Sequence, residues 1–462
     1  MQEFDLVVIG SGPAGYTGAI RAAQLGMKVA CIEKEKTLGG TCLNVGCIPS
    51  KALLNMSEKF EEAKHSFPDM GIKTSKIELD LGKMLIKKDR VVQDLCKGIE
   101  ALFAKNKITK ISGTAKIIDK NTISIGTQQI KAAKILIATG SSVINLPGIE
   151  VDEKRIISST GALILKEVPK KLVVIGGGYI GLELGSVWRR LGSEVTVIEY
   201  ADRIVPALDV EIGKSFHKIL EKQGIKFMLS SKVISANKTD KNIKIEIEEV
   251  GSSKKSTLEC DILLVSVGRK PYTQNLGLEN IGVKLDDYGR IEVNNHFQTN
   301  IDNIYAVGDV IKGPMLAHKA EEEAVAAVEI MNNQAGHVSY ELIPSVVYTY
   351  PEVASIGKTE EDLKQRNIGY KVGKFPFLAN SRARTIGCND GMVKILACAK
   401  TDRVLGAHII GPDAGNMIAE LAAYMEFGAS SEDIARTCHA HPTLSEAIKE
   451  AALGVSKRSI NI

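Results

Sequence analysis

The sequence has neither a long hydrophobic run nor a strong excess of one charge. No stretch of about 20 consecutive apolar residues occurs, so no membrane-spanning helix is expected. With 59 basic and 55 acidic residues, the formal net charge is only +4, which does not favour nucleic acid as a partner. Residues 1–9 lead directly into a predicted strand, without the charged region and apolar core of a signal peptide. A cytoplasmic protein, or a matrix protein after processing, is therefore expected.

The cysteines do not have the pattern of a disulfide framework. The chain has 462 residues, enough for about three domains, and only Cys42 and Cys47 share one short glycine-rich segment. A zinc half-site is not indicated, because such sites usually run C-x2–4-C with a second pair and no second pair follows here, and no metal site is predicted. Spacing alone leaves two interpretations open for this pair, a redox-active dithiol and two inert core thiols.

The segment around the two cysteines, GGTCLNVGCIPSK at 39–51, contains the features that a reactive dithiol needs. Its three glycines allow the backbone to approach a ligand or another chain segment closely. Pro49 is typical of a first helical turn, so Cys47 is predicted to lie at a helix N-terminus, where the helix dipole favours a thiolate. Lys51 adds a positive charge just beyond. These neighbours favour redox chemistry.

The N-terminal stretch has the order strand, glycine-rich turn, helix, strand and acid. The apolar run at 5–9 precedes GSGPAG, a helical stretch extends to Leu25, and a second strand at 28–32 leads to Glu33. This is the fingerprint of a dinucleotide-binding βαβ unit, in which the pyrophosphate meets the helix N-terminus and the acid accepts ribose hydroxyls. The three fingerprint glycines are Gly10, Gly12 and Gly15.

The same fingerprint recurs 166 residues later, from Gly10 to Gly176 and from Glu33 to Glu199. Two fingerprints predict two nucleotides, and electron transfer between a flavin and a nicotinamide is the expected use. A duplication with one inactive copy is the alternative, but both copies keep three glycines and the acid. The glycines of the second copy are Gly176, Gly178 and Gly181. A further similarity relates the segments 134–140 and 261–268, each an apolar strand that ends at a glycine.

These patterns predict an α/β fold with two Rossmann-like dinucleotide-binding domains and a C-terminal α+β domain. The predicted divisions are a first nucleotide-binding domain at 1–147, a second at 148–274, a segment returning to the first domain at 275–345, and a last domain at 346–462. Other predicted elements are helices at about 50–65 and 80–105, a small antiparallel sheet at 111–132, strands at 346–349, 392–398 and 403–409, and helices at 414–427 and 445–453.

The segment GGTCLNVGCIPSKALL closely resembles the active-site segment of the flavin-dependent pyridine nucleotide–disulfide oxidoreductases, and the resemblance extends over essentially the whole chain. It implies one tightly bound FAD per chain, NAD+ or NADH as co-substrate, and a homodimer formed through the last domain. Together with the tail HPTLSEAIKEA, it is most similar to members that oxidise protein-bound dihydrolipoyl groups. The implied partners are lipoyl domains of 2-oxoacid dehydrogenase complexes or the H protein of the glycine cleavage system.

The resemblance also assigns catalytic roles. Cys42 would be the thiol that exchanges with substrate, and Cys47 the thiol that lies against the flavin, the two forming a redox disulfide. Lys51 would lie near the flavin N5 and pair with Glu183.

A second group of catalytic residues lies near the C-terminus. His441 would be the base, oriented by Glu446, and the His441–Pro442 bond is a candidate cis peptide. His439 is the competing base. The family motif places the base directly before Pro-Thr, which favours His441.

Cofactor contacts follow from the same resemblance. For His318, a base is one interpretation and cofactor packing the favoured one. The residues assigned to FAD are Gly10, Gly12, Gly15, Glu33, Thr41, Lys51, Ala115, Thr139, Gly140, Asp309, Met315, Leu316, Ala317 and His318. Those assigned to NAD are Gly176, Gly178, Gly181, Glu183, Glu199 and Gly268.

Tyr179 departs from the pattern of many lipoamide-oxidising members, which carry an aliphatic residue there, whereas glutathione reductases commonly carry tyrosine. The details of the nicotinamide pocket therefore stay open. Rival functions are reduction of another disulfide, a flavin NADH oxidase, and a non-catalytic scaffold subunit. The intact cysteine pair and the segment HPTLSE argue against the last two.

Overall fold

The computed structural model describes all 462 residues and contains two compact units. Unit 1 consists of Met1–Leu53, Asp80–Ile144 and Gly268–Val338. Unit 2 consists of Leu54–Leu79, Asn145–Val267 and Ser339–Ile462. None of the helices combines the length and the apolar composition that a membrane span requires.

The strands follow one another along the chain as β1 Gln2–Ile9, β2 Val29–Glu33, β3 Thr109–Ser112, β4 Ala115–Ile117, β5 Thr122–Ile125, β6 Gln128–Ile137, β7 Ser141–Val143, β8 Ile156–Ile157, β9 Lys171–Ile175, β10 Glu194–Ile198, β11 Lys226–Met228, β12 Ser231–Lys238, β13 Ile243–Glu249, β14 Lys255–Cys260, β15 Ile262–Val265, β16 Arg269–Pro271, β17 Ile304–Ala306, β18 Ser345–Val347, β19 Glu352–Gly357, β20 Tyr370–Pro376, β21 Met392–Cys398 and β22 Val404–Gly411.

The α-helices are α1 Pro13–Gln24, α2 Gly40–Val45, α3 Cys47–His65, α4 Leu81–Lys105, α5 Ser159–Ala162, α6 Tyr179–Leu191, α7 Val210–Lys222, α8 Leu278–Ile281, α9 Ala317–Met331, α10 Glu360–Gln365, α11 Ser381–Thr385, α12 Ala414–Glu426, α13 Ser431–Arg436 and α14 Glu446–Val455. Three short 3₁₀ helices lie at Gly308–Val310, Tyr340–Leu342 and Phe377–Ala379.

Unit 1 is built on a seven-stranded sheet with the order β3-β2-β1-β6-β5-β4, and β17 also pairs with β6. The strands β3, β2, β1, β6 and β17 are parallel, and every residue of β2 is buried, as expected for a parallel strand covered on both faces. The predicted antiparallel strands at 111–132 are present as β4, β5 and β6. They are not a separate sheet, because β6 is long enough to pair with both β5 and β1.

Unit 2 contains the second nucleotide-binding sheet, with the parallel order β11-β10-β9-β15-β8. The helix α6 follows β9 directly, as α1 follows β1, so the predicted repeat is also a structural repeat. A three-stranded antiparallel sheet, β12-β13-β14, covers one side of the core with Ile243, Ile245 and Ile247. The sequence patterns did not predict this sheet.

The C-terminal part of unit 2 is a five-stranded antiparallel sheet with the order β18-β19-β22-β21-β20. Its apolar core includes residues of α12 and α14, among them Leu421 and Ile448. The predicted strands β18, β21 and β22 and helices α12 and α14 are confirmed, whereas β19 and β20 were missed.

Candidate active site

The two predicted redox cysteines lie in unit 1, on two consecutive helices. Cys42 lies within α2, and Cys47 is the first residue of α3, as predicted. Gly40 has φ +56°, and a Cβ there would lie 2.6 Å from the Cα atom of Gly12. The segment that carries the dithiol therefore packs directly against the glycine loop of the first fingerprint.

The two sulfurs of the dithiol differ in how strongly each binds a proton. Both sulfurs are free thiols in the structure, and a hydrogen bond joins them. That bond, then burial, then the negative charges of Cys47 and Glu321 raise the pKa of Cys42 far above its usual range, although Lys51 acts in the opposite direction. Since Cys47 begins a helix, the arrangement favours a protonated Cys42 beside a thiolate at Cys47.

A tyrosine–glutamate pair lies near the dithiol. The Tyr16 hydroxyl donates to Oε1 of Glu321 over 2.8 Å, which links α1 to α9. Burial, followed by Glu321 and the two cysteines, raises the pKa of Tyr16. No sequence pattern indicated this pair, because the two residues are 305 positions apart and each looks like an ordinary helical surface residue.

Asp309, the predicted ribityl ligand, belongs to a polar chain. Its Oδ2 accepts the Ser141 hydroxyl over 2.5 Å, and Ser141 in turn accepts Nε of Arg269 over 2.7 Å. Burial lowers the pKa of Arg269, while the charges of Asp309 and Cys47 oppose this. Sequence reasoning missed Ser141 and Arg269, although each directly follows the glycine that ends one of the two similar strands, Gly140 and Gly268.

The first fingerprint forms a tight turn that fits a dinucleotide pyrophosphate. A Cβ at Gly15 would lie 1.9 Å from the carbonyl oxygen of Gly10, and a Cβ at Gly10 would lie 2.5 Å from the carbonyl oxygen of Ala138. At Gly12 the nearest atom would be 3.9 Å away, and no side chain caps α1. The first amides of α1 are therefore open to an anionic ligand.

Glu33 stabilises this turn through hydrogen bonds of its carboxylate. Its Oε2 accepts the Ser11 amide over 2.9 Å and the Ser11 hydroxyl over 2.6 Å, and its Oε1 accepts the Glu35 amide over 2.9 Å. The predicted ribose acceptor thus also holds the loop, and Oε1, which accepts only one of these bonds, retains a further lone pair for a hydroxyl donor.

The second fingerprint reproduces this geometry in unit 2. Glu199 accepts the Gly177 amide over 2.5 Å and the Ala201 amide over 2.8 Å. A Cβ at Gly181 would lie 2.2 Å from the carbonyl oxygen of Gly176, and no atom lies within 4 Å of a Cβ built at Gly178. Both turns therefore leave space for a dinucleotide. This space is required if unit 1 is to bind FAD and unit 2 is to bind NAD.

The remaining predicted FAD contacts lie around the first sheet. Thr41 is part of α2, and Ala115 is buried at the start of β4. The Thr139 hydroxyl donates to the carbonyl oxygen of Tyr272 over 2.6 Å. The residues at the start of α9 are Met315, Leu316, Ala317 and His318, of which His318 is exposed and the others are half-buried.

Two residues of the predicted nicotinamide region have partners within unit 2. Glu183 is buried on α6, and its Oε1 accepts the Tyr348 amide over 3.0 Å. The Tyr179 hydroxyl is hydrogen-bonded to Ser345, and burial raises its pKa. Lys51 belongs to unit 1, so its pairing with Glu183 stays a prediction.

The C-terminal histidines occupy different environments. Nδ1 of His441 lies 2.8 Å from Oε1 of Glu446, whose Oε2 accepts the Thr443 amide over 2.8 Å. Although burial opposes it, the Thr443 bond and His441 lower the pKa of Glu446. The His441 side chain is 68% exposed, and the His441–Pro442 peptide is cis, as predicted. Only Nδ1 of His441 is engaged by Glu446, so its Nε2 remains available, as the predicted base requires.

His439 is held inside the fold instead. Its Nε2 lies 2.7 Å from Oε1 of Glu420 and its Nδ1 lies 3.0 Å from the carbonyl oxygen of Thr437. Its side chain is only 5% exposed, and the bond to Glu420 raises its pKa. The geometry therefore favours His441 over His439 as the base.

Comparisons with known proteins agree along the whole chain. The family described as pyridine nucleotide-disulphide oxidoreductase matches residues 4–324, and the dimerisation domain of the same family matches residues 343–452. Dihydrolipoyl dehydrogenase 1, mitochondrial, of Arabidopsis thaliana is 57% identical over 100% of this chain and 92% of its own length. The mitochondrial dihydrolipoyl dehydrogenase of Homo sapiens is 56% identical over 99% of this chain and 92% of its own length.

A solved structure has the same fold. It is the HOCl-induced flavoprotein disulfide reductase RclA from Escherichia coli, which matches with a TM-score of 0.87 and 29% identity over 97% of this chain and 99% of its own.

Proposed function

The chain belongs to the pyridine nucleotide–disulphide oxidoreductase family, and from that premise we propose that Cys42 and Cys47 are the redox pair through which it oxidises dihydrolipoyl groups. It is a flavin disulfide oxidoreductase that uses FAD and NAD, and its activity is that of a dihydrolipoyl dehydrogenase.

One observation supports the assignment of the redox pair most directly. The hydrogen-bonded sulfurs of Cys42 and Cys47 lie on a segment whose Gly40 packs against Gly12 of the first fingerprint. A cofactor bound by that fingerprint would therefore have the dithiol as a neighbour, as electron transfer over a short distance requires.

The proposed reaction begins with Cys42 and Cys47 joined as a disulfide. His441 takes the proton of one substrate thiol, and the resulting thiolate attacks Sγ of Cys42, so that the S–S bond breaks and Cys47 leaves as a thiolate. The second substrate thiol, whose proton goes to solvent, then attacks the substrate sulfur of the mixed disulfide. The bond to Cys42 breaks, Cys42 leaves and takes the proton from His441, and the oxidised lipoyl group is released. The first fingerprint and Asp309 would hold FAD, which would supply the redox chemistry that carries the two electrons of the dithiol to NAD+.

Glu446 would hold His441 in the tautomer that this step needs. A carboxylate on Nδ1 keeps the proton there and leaves Nε2 as the acceptor, and it stabilises the charged imidazole that forms. Glu199 would accept the ribose hydroxyls of NAD and disfavour a 2′-phosphate.

The match of residues 343–452 to a dimerisation domain supports a homodimer. The proposed partners are lipoyl domains of 2-oxoacid dehydrogenase acyltransferase subunits or the glycine cleavage H protein. Kinetics with each purified lipoylated domain would test this, and equal failure with both would contradict it.

Two further expectations stay proposals. The first is the division into an FAD domain at 1–147, an NAD domain at 148–274, a central segment at 275–345 and an interface domain at 346–462. The second is a cytoplasmic location, which fractionation of source cells would test. The curated relatives compared above carry the word mitochondrial in their names.

A substrate panel tests the proposed function. We expect the holoenzyme to reduce NAD+ with dihydrolipoamide, and to show little turnover with glutathione disulfide and NADPH. Cys42→Ser should abolish the dihydrolipoamide activity, whereas Cys398→Ser, on the C-terminal sheet, should retain it. Efficient reduction of glutathione disulfide without dihydrolipoamide oxidation would contradict the proposed substrate.

A further inference from the structure

A fully buried ion pair lies on α9, and its two residues belong neither to the dithiol segment nor to a fingerprint. Nζ of Lys319 is 3.0 Å from Oε2 of Glu323, and neither side chain is exposed to solvent. The two residues are one helical turn apart, so they contact each other on one face of the helix.

Both charged groups bind the backbone of one residue, Gly308. Oε2 of Glu323 accepts the Gly308 amide over 2.8 Å, and Nζ of Lys319 donates to the Gly308 carbonyl oxygen over 3.0 Å. Gly308 has φ +81°, a conformation that side-chain-bearing residues rarely adopt. The same loop also packs closely on Lys319 at Gly313, where an added Cβ would lie 2.9 Å from Cε of Lys319.

These two bonds determine where the next residue lies. The carbonyl oxygen of Gly308 and the amide nitrogen of Asp309 belong to one planar peptide group, so fixing the oxygen also fixes the start of Asp309. The Asp309 carboxylate is then held at its other end by the Ser141 hydroxyl, over 2.5 Å. Asp309 is thus constrained through both its backbone and its side chain.

Stability alone does not account for such a pair. Burying two charges carries a desolvation cost, and replacing a buried ion pair by apolar residues of similar volume is often neutral or stabilising. What an apolar pair cannot do is give directional hydrogen bonds to both peptide groups of one residue.

We propose that Lys319 and Glu323 are positioning residues for the flavin: they clamp Gly308 so that Asp309 is held in place to bind FAD. The inference rests on the proposed function, specifically on Asp309 as an FAD ligand. It adds two residues to the cofactor site that neither the fingerprint nor the dithiol segment contains.

The test measures the affinity of FAD-free protein for FAD by the quenching of flavin fluorescence. The key variant is Lys319→Met combined with Glu323→Leu, which removes both charges and leaves no unpaired one. We expect its dissociation constant for FAD to rise about tenfold or more, similar to that of Asp309→Asn. The visible circular dichroism of the flavin in both FAD-loaded variants should also differ from that of the unmodified holoenzyme.

A second fully buried lysine provides the matched control. Lys394 lies within 3.0 Å of Asp209 and Glu360 in unit 2 and is also completely buried. Lys394→Met should lower the melting temperature, because it leaves the buried carboxylate of Asp209 without its ion-pair partner, and should change the FAD dissociation constant less than twofold. A general loss of stability would affect both sites, whereas the proposed clamp concerns only the first.

The outcomes separate the inference from the function on which it rests. If the double variant binds FAD as the unmodified protein does while Asp309→Asn binds weakly, the clamp is refuted and the flavin site is retained. If Asp309→Asn also binds normally, the role of Asp309 is refuted and the inference with it. Failure of the unmodified protein to bind FAD would refute the proposed function itself.

A milder variant covers the case in which the double variant does not fold. Glu323→Gln keeps an oxygen that can accept the Gly308 amide but removes the charge opposite Lys319. Its holoenzyme should release FAD about threefold faster on dilution, as a buried ion pair that loses one charge is weakened. An unchanged release rate would overturn the inference.

Discussion

At the scale of single residues, the position of one proton distinguishes the two active-site sulfurs. Cys47→Ala removes the largest cause of the raised pKa of Cys42, their hydrogen bond, together with the charge of Cys47. The pKa of Cys42 should therefore fall, and more of it should be thiolate at pH 8. We expect iodoacetamide to alkylate Cys42 about tenfold faster in Cys47→Ala than in the reduced unmodified holoenzyme, as measured by mass spectrometry.

Cys398 serves as the internal control for this comparison. It lies outside the site, and hydrogen bonds from Thr401 lower its pKa, so its alkylation rate should be the same in both proteins. Equal Cys42 rates in the two proteins would show that Cys47 does not hold the proton on Cys42.

The buried histidine His439 should make stability depend on pH. Its pKa is raised by Glu420, so its charged form is favoured on folding. That contribution is complete below the unfolded value of about 6.5 and is lost as pH rises through the higher folded value. Glu420→Gln should therefore cost about 1–3 kcal/mol at pH 6 and clearly less at pH 9. Urea unfolding at both pH values measures this, and a cost independent of pH would contradict it.

The residues that sequence analysis identified and those it missed differ in their surroundings along the chain. Cys42, Cys47 and His441 stand in short segments whose neighbours carry the signal, such as glycines or Pro-Thr. Arg269 and Lys319 stand in ordinary strand and helix sequences. Their partners lie far away or depend on burial, so only the folded chain shows what they contact.

At the scale of elements, substitution by alanine should have opposite effects at Gly15 of α1 and at Gly98 of α4. A Cβ at Gly15 would overlap the Gly10 carbonyl oxygen at 1.9 Å, whereas a Cβ at Gly98 would meet nothing within 4 Å. Gly15→Ala should prevent normal FAD binding. Gly98→Ala should raise the free energy of unfolding by about 0.5–1 kcal/mol, because alanine loses less backbone entropy in a helix.

FAD content of the purified proteins and chemical denaturation check these two expectations. A Gly15→Ala protein with full FAD content would show that the turn of the first fingerprint tolerates a side chain. A destabilised Gly98→Ala protein would contradict the exposed, open environment of that position in α4.

Most elements with a strong local signal were predicted, although the amphipathic helix α7, which Asp209 caps, was missed. The βαβ units and the long helices have apolar periodicity and glycine turns, and α3 and α4 lie close to their predicted ranges. The strand β20, YKVGKFP, alternates weakly and contains glycine and proline, so its pairing with β21 comes from the rest of the sheet. The sheet β12-β13-β14 likewise depends on pairing between strands rather than on any one of them.

At the scale of the whole molecule, the dithiol and the base come from opposite ends of the sequence and from different units. Sequence separation permits either one chain that supplies a complete site or a site shared between two chains. The dimerisation domain at 343–452, which contains His441, favours a shared site in a two-fold dimer, where the same surface of both subunits meets. His441 of one subunit would then serve the Cys42–Cys47 pair of the other.

Complementation between two inactive proteins distinguishes these arrangements. Cys42→Ser and His441→Gln are made separately and then co-expressed with different tags, so that heterodimers can be purified. With shared sites, one site of the heterodimer receives both substitutions and the other receives neither, so about half of the normal activity per dimer should return. With sites built from one chain, every site carries one substitution and activity stays absent. Purified heterodimers without recovered dihydrolipoamide oxidation would therefore refute the shared site, whereas recovery would place His441 and the dithiol of one site on different subunits.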